Sequence, residues 1–139
     1  MKTEPEIDFS GNYRSVESKN FIAFMRELGA GFLARVITSS APTTYEIKKE
    51  GHYYRLKISI NLKKYEIKFK FGEEFVGHRI DGKLVKSVIN LDRNKWIERQ
   101  FGGKRGRTVD IIREFQGDTL SETATLGSVT YVRLFRKIK

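Results

Sequence analysis

From Pro42 to the C-terminus, apolar residues recur at every second position, with turn residues breaking the pattern at about 8–12-residue intervals. A period of two cannot present one face of a helix, so most of this chain must be extended. The runs cover residues 43–49, 53–60, 65–71, a short piece near Phe75 and Val76, then 83–91, 95–101, 108–115, 119–126 and 128–138. A first strand over residues 9–16, interrupted by Gly11, brings the count to ten. Where the faces sort cleanly, Tyr54, Leu56, Ile58 and Ile60 oppose Arg55, Lys57 and Ser59, and Ile67, Phe69 and Phe71 oppose Lys68 and Lys70. Short turns between successive runs predict an all-β, antiparallel, up-and-down meander, and closing it into a barrel removes the exposed edges of an open sheet. Side chains alone cannot fill a barrel of that width, so an internal cavity is expected.

Between the first two strands the period changes. Phe21, Phe24, Met25 and Leu28 stand at i, i+3, i+4 and i+7, with Ser18 and Asn20 as candidate caps and Gly29 as the stop. A second short stripe, Phe32, Leu33, Val36 and Ile37, follows, and Gly29 and Gly31 permit a tight turn between the two. The spacing predicts a helix-turn-helix lid over one open end of the barrel.

Two strands carry a cation on an apolar face. Arg133 shares a face with Val129, Tyr131 and Phe135, and Arg113 with Val109, Ile111 and Phe115. A guanidinium there is costly unless it reaches solvent, pairs with a carboxylate, or meets an acidic ligand in an enclosed space. The strand between them places Glu122 on the inner face with Leu120, Ala124 and Leu126, where it can pair with Arg113 and leave Arg133 as the main contact for a ligand head. Two cations and one carboxylate would leave a single positive charge inside.

The chain has 139 residues, no cysteine and two histidines, His52 and His78. That length predicts one domain over residues 1–139, with residues 1–7 a flexible extension. Disulfides and thiolate metal sites are excluded, zinc is not expected, and no metal or cofactor is assigned. The residues up to Glu6 lack the apolar stretch of a signal peptide and no long apolar run occurs, which predicts a soluble, cytoplasmic protein. A net charge of +10 implies attraction to polyanions, either nucleic acid or an anionic membrane. The Gly-rich basic cluster from Gly102 to Arg107 reads as a solvated hairpin tip. Neither a nucleophile with its base nor a phosphate-binding loop is recognisable, so no enzyme is expected.

Phe9-Ser10-Gly11-Asn12-Tyr13, Ser18-Lys19-Asn20-Phe21, Met25, Leu28-Gly29-Ala30-Gly31-Phe32, Arg35 and Pro42-Thr43-Thr44 follow one another in an order and spacing that resembles the start of the cytosolic fatty-acid-binding proteins. Phe69-Lys70-Phe71-Gly72-Glu73-Glu74-Phe75, Val85-Lys86-Ser87, Asn90-Leu91-Asp92, Arg113-Glu114 and Arg133 extend the resemblance over nearly the whole chain. It implies a flattened ten-strand barrel capped by a helical portal, acting as a non-enzymatic, monomeric carrier of a long-chain fatty acid in the cytosol. It also implies that Arg113 and Arg133 hold the ligand carboxylate. Where the family has a tyrosine two residues after the last arginine, this chain has Phe135, and Tyr131 is the candidate to supply the missing hydroxyl. For the acyl tail and portal the candidates are Phe21, Met25, Leu28, Ile58, Ile60 and Phe71. Lys19, Arg26 and Arg35 around the lid are candidates for docking on anionic membranes. Phe135 and Glu122 keep open a neutral lipid or retinoid as ligand. A basic nucleic-acid-binding barrel is the reading from another class, and it is disfavoured because the aromatic residues fall on the non-basic faces.

Overall fold

The computed structural model describes residues 7–29, 42–60, 63–102 and 107–138. Ten antiparallel strands form one sheet: β1 (Gly11–Lys19), β2 (Thr43–Glu50), β3 (Tyr53–Ile60), β4 (Lys63–Phe69), β5 (Phe75–His78), β6 (Leu84–Asp92), β7 (Lys95–Gln100), β8 (Val109–Gln116), β9 (Thr119–Leu126) and β10 (Val129–Ile138). Their order is β4-β3-β2-β1-β10-β9-β8-β7-β6-β5. Every hydrogen-bonded pair therefore joins strands adjacent in sequence except one, where β1 meets β10 and brings the two ends of the chain together. The meander is the expected one. β1 starts two residues later than the pattern suggested and runs on to Lys19, with an irregularity in register between Ser15 and Glu17 against β10.

Closure is incomplete, which corrects the expectation that all edges disappear. β4 and β5 end the ladder and are not hydrogen-bonded to each other. Side chains close the seam instead: Phe69 lies against Phe75 with ring centroids 5.8 Å apart, and Tyr65 stacks on His78 at 5.2 Å. Gly77 suits this seam, since a Cβ there would come within 3.1 Å of the Phe75 ring. Phe71 falls beyond β4, in the following turn.

One helix is described, α1 (Phe21–Glu27), which buries Phe21, Phe24 and Met25. Neither candidate cap bonds as one. Ser18 lies within β1, and the N-cap Asn20 makes no side-chain cap bond, its Nδ2 donating to the Thr130 carbonyl of β10 at 3.4 Å. Gly29 ends the helical turn at φ 88°, in the left-handed region that glycine favours. The expected second helix at residues 32–37 lies outside the described residues, as does most of the 1–7 extension.

Inside the barrel the apolar side chains form two clusters. One gathers Phe9, Tyr13, Tyr45, Tyr54, Trp96, Phe115, Leu120 and Phe135 with other residues and includes none from α1. Its rings meet mostly edge to face, Phe9 lying 5.4 Å from Trp96 and 4.8 Å from Phe115. The other cluster packs α1 on Val109, Ile111, Ala124, Leu126 and Tyr131. Strand by strand, the residue between the two clusters is charged: Arg113 between Ile111 and Phe115, Glu122 between Leu120 and Ala124, Arg133 between Tyr131 and Phe135.

Candidate functional site

Register makes this layer a row. Arg113 stands opposite Glu122, and Glu122 opposite Arg133. All three are buried, with relative exposures of 3%, 0% and 4% respectively. The guanidinium of Arg113 is held on two sides, Nε donating to Glu122 Oε1 at 2.8 Å and Nη1 to Glu98 Oε1 at 2.6 Å. Glu98, on β7, is as buried as Glu122 and takes a further bond from Gln100 Nε2 at 2.9 Å. Glu122 accepts the hydroxyl hydrogens of Tyr45 at 2.6 Å and Tyr131 at 2.8 Å. Each of its oxygens is thus engaged.

This arrangement sets the protonation states. Burial alone would push the Glu122 carboxyl up, but the guanidinium groups of Arg113 and Arg133 and the two tyrosine hydroxyls outweigh it and hold the carboxyl below its ordinary value. For Arg113 burial opposes the charge, and Glu98 and Glu122 overcome it, raising the guanidinium well above its usual range. Burial, then the Glu122 charge, raises the phenols of Tyr45 and Tyr131 far up, so both remain proton donors.

Arg133 is bound differently. Its Nη2 donates to Thr43 Oγ1 at 2.7 Å, while Nε and Nη1 are buried without an acceptor. Its guanidinium carbon lies 4.2 Å from the Phe21 ring centroid and 5.2 Å from that of Phe135. Phe135 itself stacks on Tyr45 at 4.5 Å and an interplanar angle of 18°. Aromatic faces stabilise the cation but leave its in-plane donors free.

Arg113 and Tyr131 reach an enclosed space also lined by Phe24, Tyr45, Ile58, Ile67 and His78. The empty volume there is about 360 Å³ when the part open to solvent is counted. Of the six tail candidates, Ile58 lines this space. Phe21 and Met25 of α1 are buried, with Leu28 half-buried beside them, Ile60 belongs to the first apolar cluster opposite Thr43, and Phe71 packs at the edge of that cluster's rings. Lys19 and Arg26 are exposed near the helix, whereas Arg35 lies outside the described residues.

The inner charge count needs correction. Glu98 escapes notice when β7 is read for hydrophobicity, because Ile97 beside it points outward. With it, the buried charges among the described residues are Arg113 and Arg133 against Glu98 and Glu122, which sum to zero. Tyr45 and Thr43 were also missed. Alternation along β2 puts both inside, but their partners Glu122 and Arg133 are far away in sequence. Of the 102–107 cluster, residues 103–106 lie outside the described residues, and Arg107 donates to the Glu27 carbonyl at 3.1 Å and carboxylate at 2.6 Å at the end of α1.

A family model described as lipocalin / cytosolic fatty-acid binding protein matches residues 10–138. The chain belongs to that family. Its members are non-enzymatic carriers, and the ten-strand, nearly closed barrel is their fold. A fatty acid-binding protein of Tyrophagus putrescentiae is 42% identical over 132 residues, covering 94% of this chain and 98% of that one. A crystal structure of a fatty acid-binding protein from Drosophila melanogaster brain tissue is 38% identical with a TM-score of 0.83, covering 93% and 99%. The Schistosoma mansoni fatty acid-binding protein, solved in complex with arachidonic acid, is 32% identical with a TM-score of 0.85, covering 94% and 96%.

Proposed function

We propose that this chain carries a long-chain fatty acid inside the cell, with the acyl tail within the barrel and the carboxyl head against Arg133, and does no chemistry on it. Family membership supports the class of ligand, as does the relative solved with arachidonic acid. The observation that carries the head-group assignment is the contrast between the two arginines. Arg113 already meets two carboxylates, while Arg133 keeps two buried N–H groups without an acceptor. A buried donor left unpaired is costly, so an acceptor delivered by a ligand is favoured there. Arg113 acts as a positioning residue that holds Glu98 and Glu122. Burial of the tail, at about 0.8 kcal/mol per CH₂, supplies most of the affinity.

Displacement of a fluorescent fatty acid tests this. Arg133→Ala should weaken binding by about tenfold or more, the loss expected for a hydrogen bond to a charged group. Unchanged affinity would refute the assignment. Exchange with membranes is a further part of the reading: Lys19 and Arg26 flank the half-exposed Ile22 of α1, a surface suited to anionic lipid. Transfer to anionic vesicles should outpace transfer to neutral ones and lose that advantage in high salt. Equal rates at low salt would count against docking.

A further inference from the structure

We propose that Glu98 sets the charge of the head group this barrel accepts, so that a fatty acid is taken up together with one proton and an uncharged lipid head is taken up without one. The inference rests on the carrier reading above and adds the state in which the ligand is bound.

The argument starts from the closed charge balance of the interior. Arg113 and Arg133 are matched by Glu98 and Glu122 before any ligand enters. A free fatty acid is ionised above about pH 5, as carboxylic acids are. Placed beside Arg133, its carboxylate would leave the buried layer with one negative charge in excess. No spare tyrosine hydrogen is available to it, since Tyr45 and Tyr131 both donate to Glu122. An unbalanced buried charge is the costly state, and one added proton removes it. Glu122 does not receive that proton, because three donors converge on its two oxygens. The proton therefore enters with the ligand carboxyl, into a layer where Glu98 is held by two donors, Arg113 and Gln100.

The groups that face this layer come from five strands: Thr43 and Tyr45 of β2, Glu98 and Gln100 of β7, Arg113 of β8, Glu122 of β9, and Tyr131 and Arg133 of β10. His78 of β5 lines the adjoining space and stacks on Tyr65. His78→Gln removes the imidazole from that lining and leaves the charged layer intact, so it serves as the control.

Calorimetry with a long-chain monounsaturated acid and the alcohol of the same chain, in buffers of different ionisation enthalpy, counts the protons. For the natural protein at about pH 8, uptake should be close to one per acid and zero per alcohol, and affinity for the acid should fall about tenfold per pH unit from about pH 6 upward. Glu98→Gln leaves one net positive charge inside. Its proton uptake should drop towards zero, and its affinity for the acid at about pH 8 should rise about tenfold or more while the alcohol binds as before. His78→Gln should retain the uptake. Tight binding of the acid by the natural protein without proton uptake would overturn the proposal, as would uptake undiminished in Glu98→Gln or abolished in His78→Gln. Failure of both acid and alcohol to bind at any pH would overturn the carrier reading, and this inference with it.

Discussion

Replacing Arg113 by Met removes the one cation bonded to both inner carboxylates and fills the space with an unbranched apolar chain. Glu122 keeps two tyrosine hydroxyls and the nearby charge of Arg133. Glu98 keeps only Gln100. Removing one partner of a buried ion pair costs about 3–5 kcal/mol, because the other charge remains without compensation. Unfolding entropy is about 2.1 cal/mol/K per residue near the midpoint, which over 139 residues makes a loss of about 4 kcal/mol a fall of roughly 14 °C in Tm. Equilibrium unfolding in urea at neutral pH should show the same loss against a total of about 5–15 kcal/mol for a domain of this kind.

The pH dependence separates this cause from simple mispacking. In the natural protein Glu122 is held below its unfolded value of 4.5, so as pH falls the unfolded chain binds its proton first and stability is lost through the folded pKa. In Arg113→Met the first of the influences that hold Glu122 down is gone, so its folded carboxyl moves back up and the variant's deficit shrinks as pH is lowered from 7 towards about 4. A deficit below about 1 kcal/mol, or one that stays constant over that range, would refute the claim that the two carboxylates depend on Arg113.

Three further outcomes are expected. Tyr45 and Tyr131 keep their protons when folded, so stability should also fall as pH rises above about 10, where the unfolded phenols ionise; Tyr45→Phe and Tyr131→Phe should each flatten that limb in alkaline denaturation. The Glu27 to Arg107 contact joins the stretch before β8 to the end of α1, and as an exposed pair it should show a coupling of about 0.2–1 kcal/mol in a double-mutant cycle. Phe9→Ala empties the centre of a ring cluster formed with Tyr54, Phe71, Trp96 and Phe115, which should cost about 3–5 kcal/mol in chemical denaturation, and the sole tryptophan gives the fluorescence readout.

The ten strands could be read from the chain because in most of them burial alternates with the residue types that alternation demands. β9 is such a case: Leu120, Glu122, Ala124 and Leu126 are all inside, and the position of Glu122 followed from its neighbours despite its charge. β7 defeats the same reading. Ile97 is 38% exposed and Glu98 1%, the reverse of what hydrophobicity predicts, and only Trp96 on the same face as Glu98 and Gln100 points the right way. The inversion continues around the barrel, where Ile97, Ile112 and Val132, in register through Thr123, all face outward. The missing bonds between β4 and β5 were equally hidden, because a seam held by ring contacts leaves each strand's own alternation intact.

That inversion marks the point where two demands on the interior diverge. On the proposed carrier reading an acyl tail asks for apolar surroundings, and a head group asks for polar partners at one level only. A lone arginine there would meet the ligand strongly and destabilise the empty protein. Here the cost is spread over a row in which Arg113 is satisfied by Glu98 and Glu122, and the tyrosines complete Glu122. Such a network adds little net stability over a well-packed apolar core, but it fixes each member in place. What it leaves over is directional: two N–H groups of Arg133, held by Thr43 on one side and by the faces of Phe21 and Phe135 on others. On the proposed carrier reading, selectivity for the head group comes from the geometry of those two donors and from the charge balance behind them, and Phe135, which has no hydroxyl, contributes by stacking rather than by a hydrogen bond.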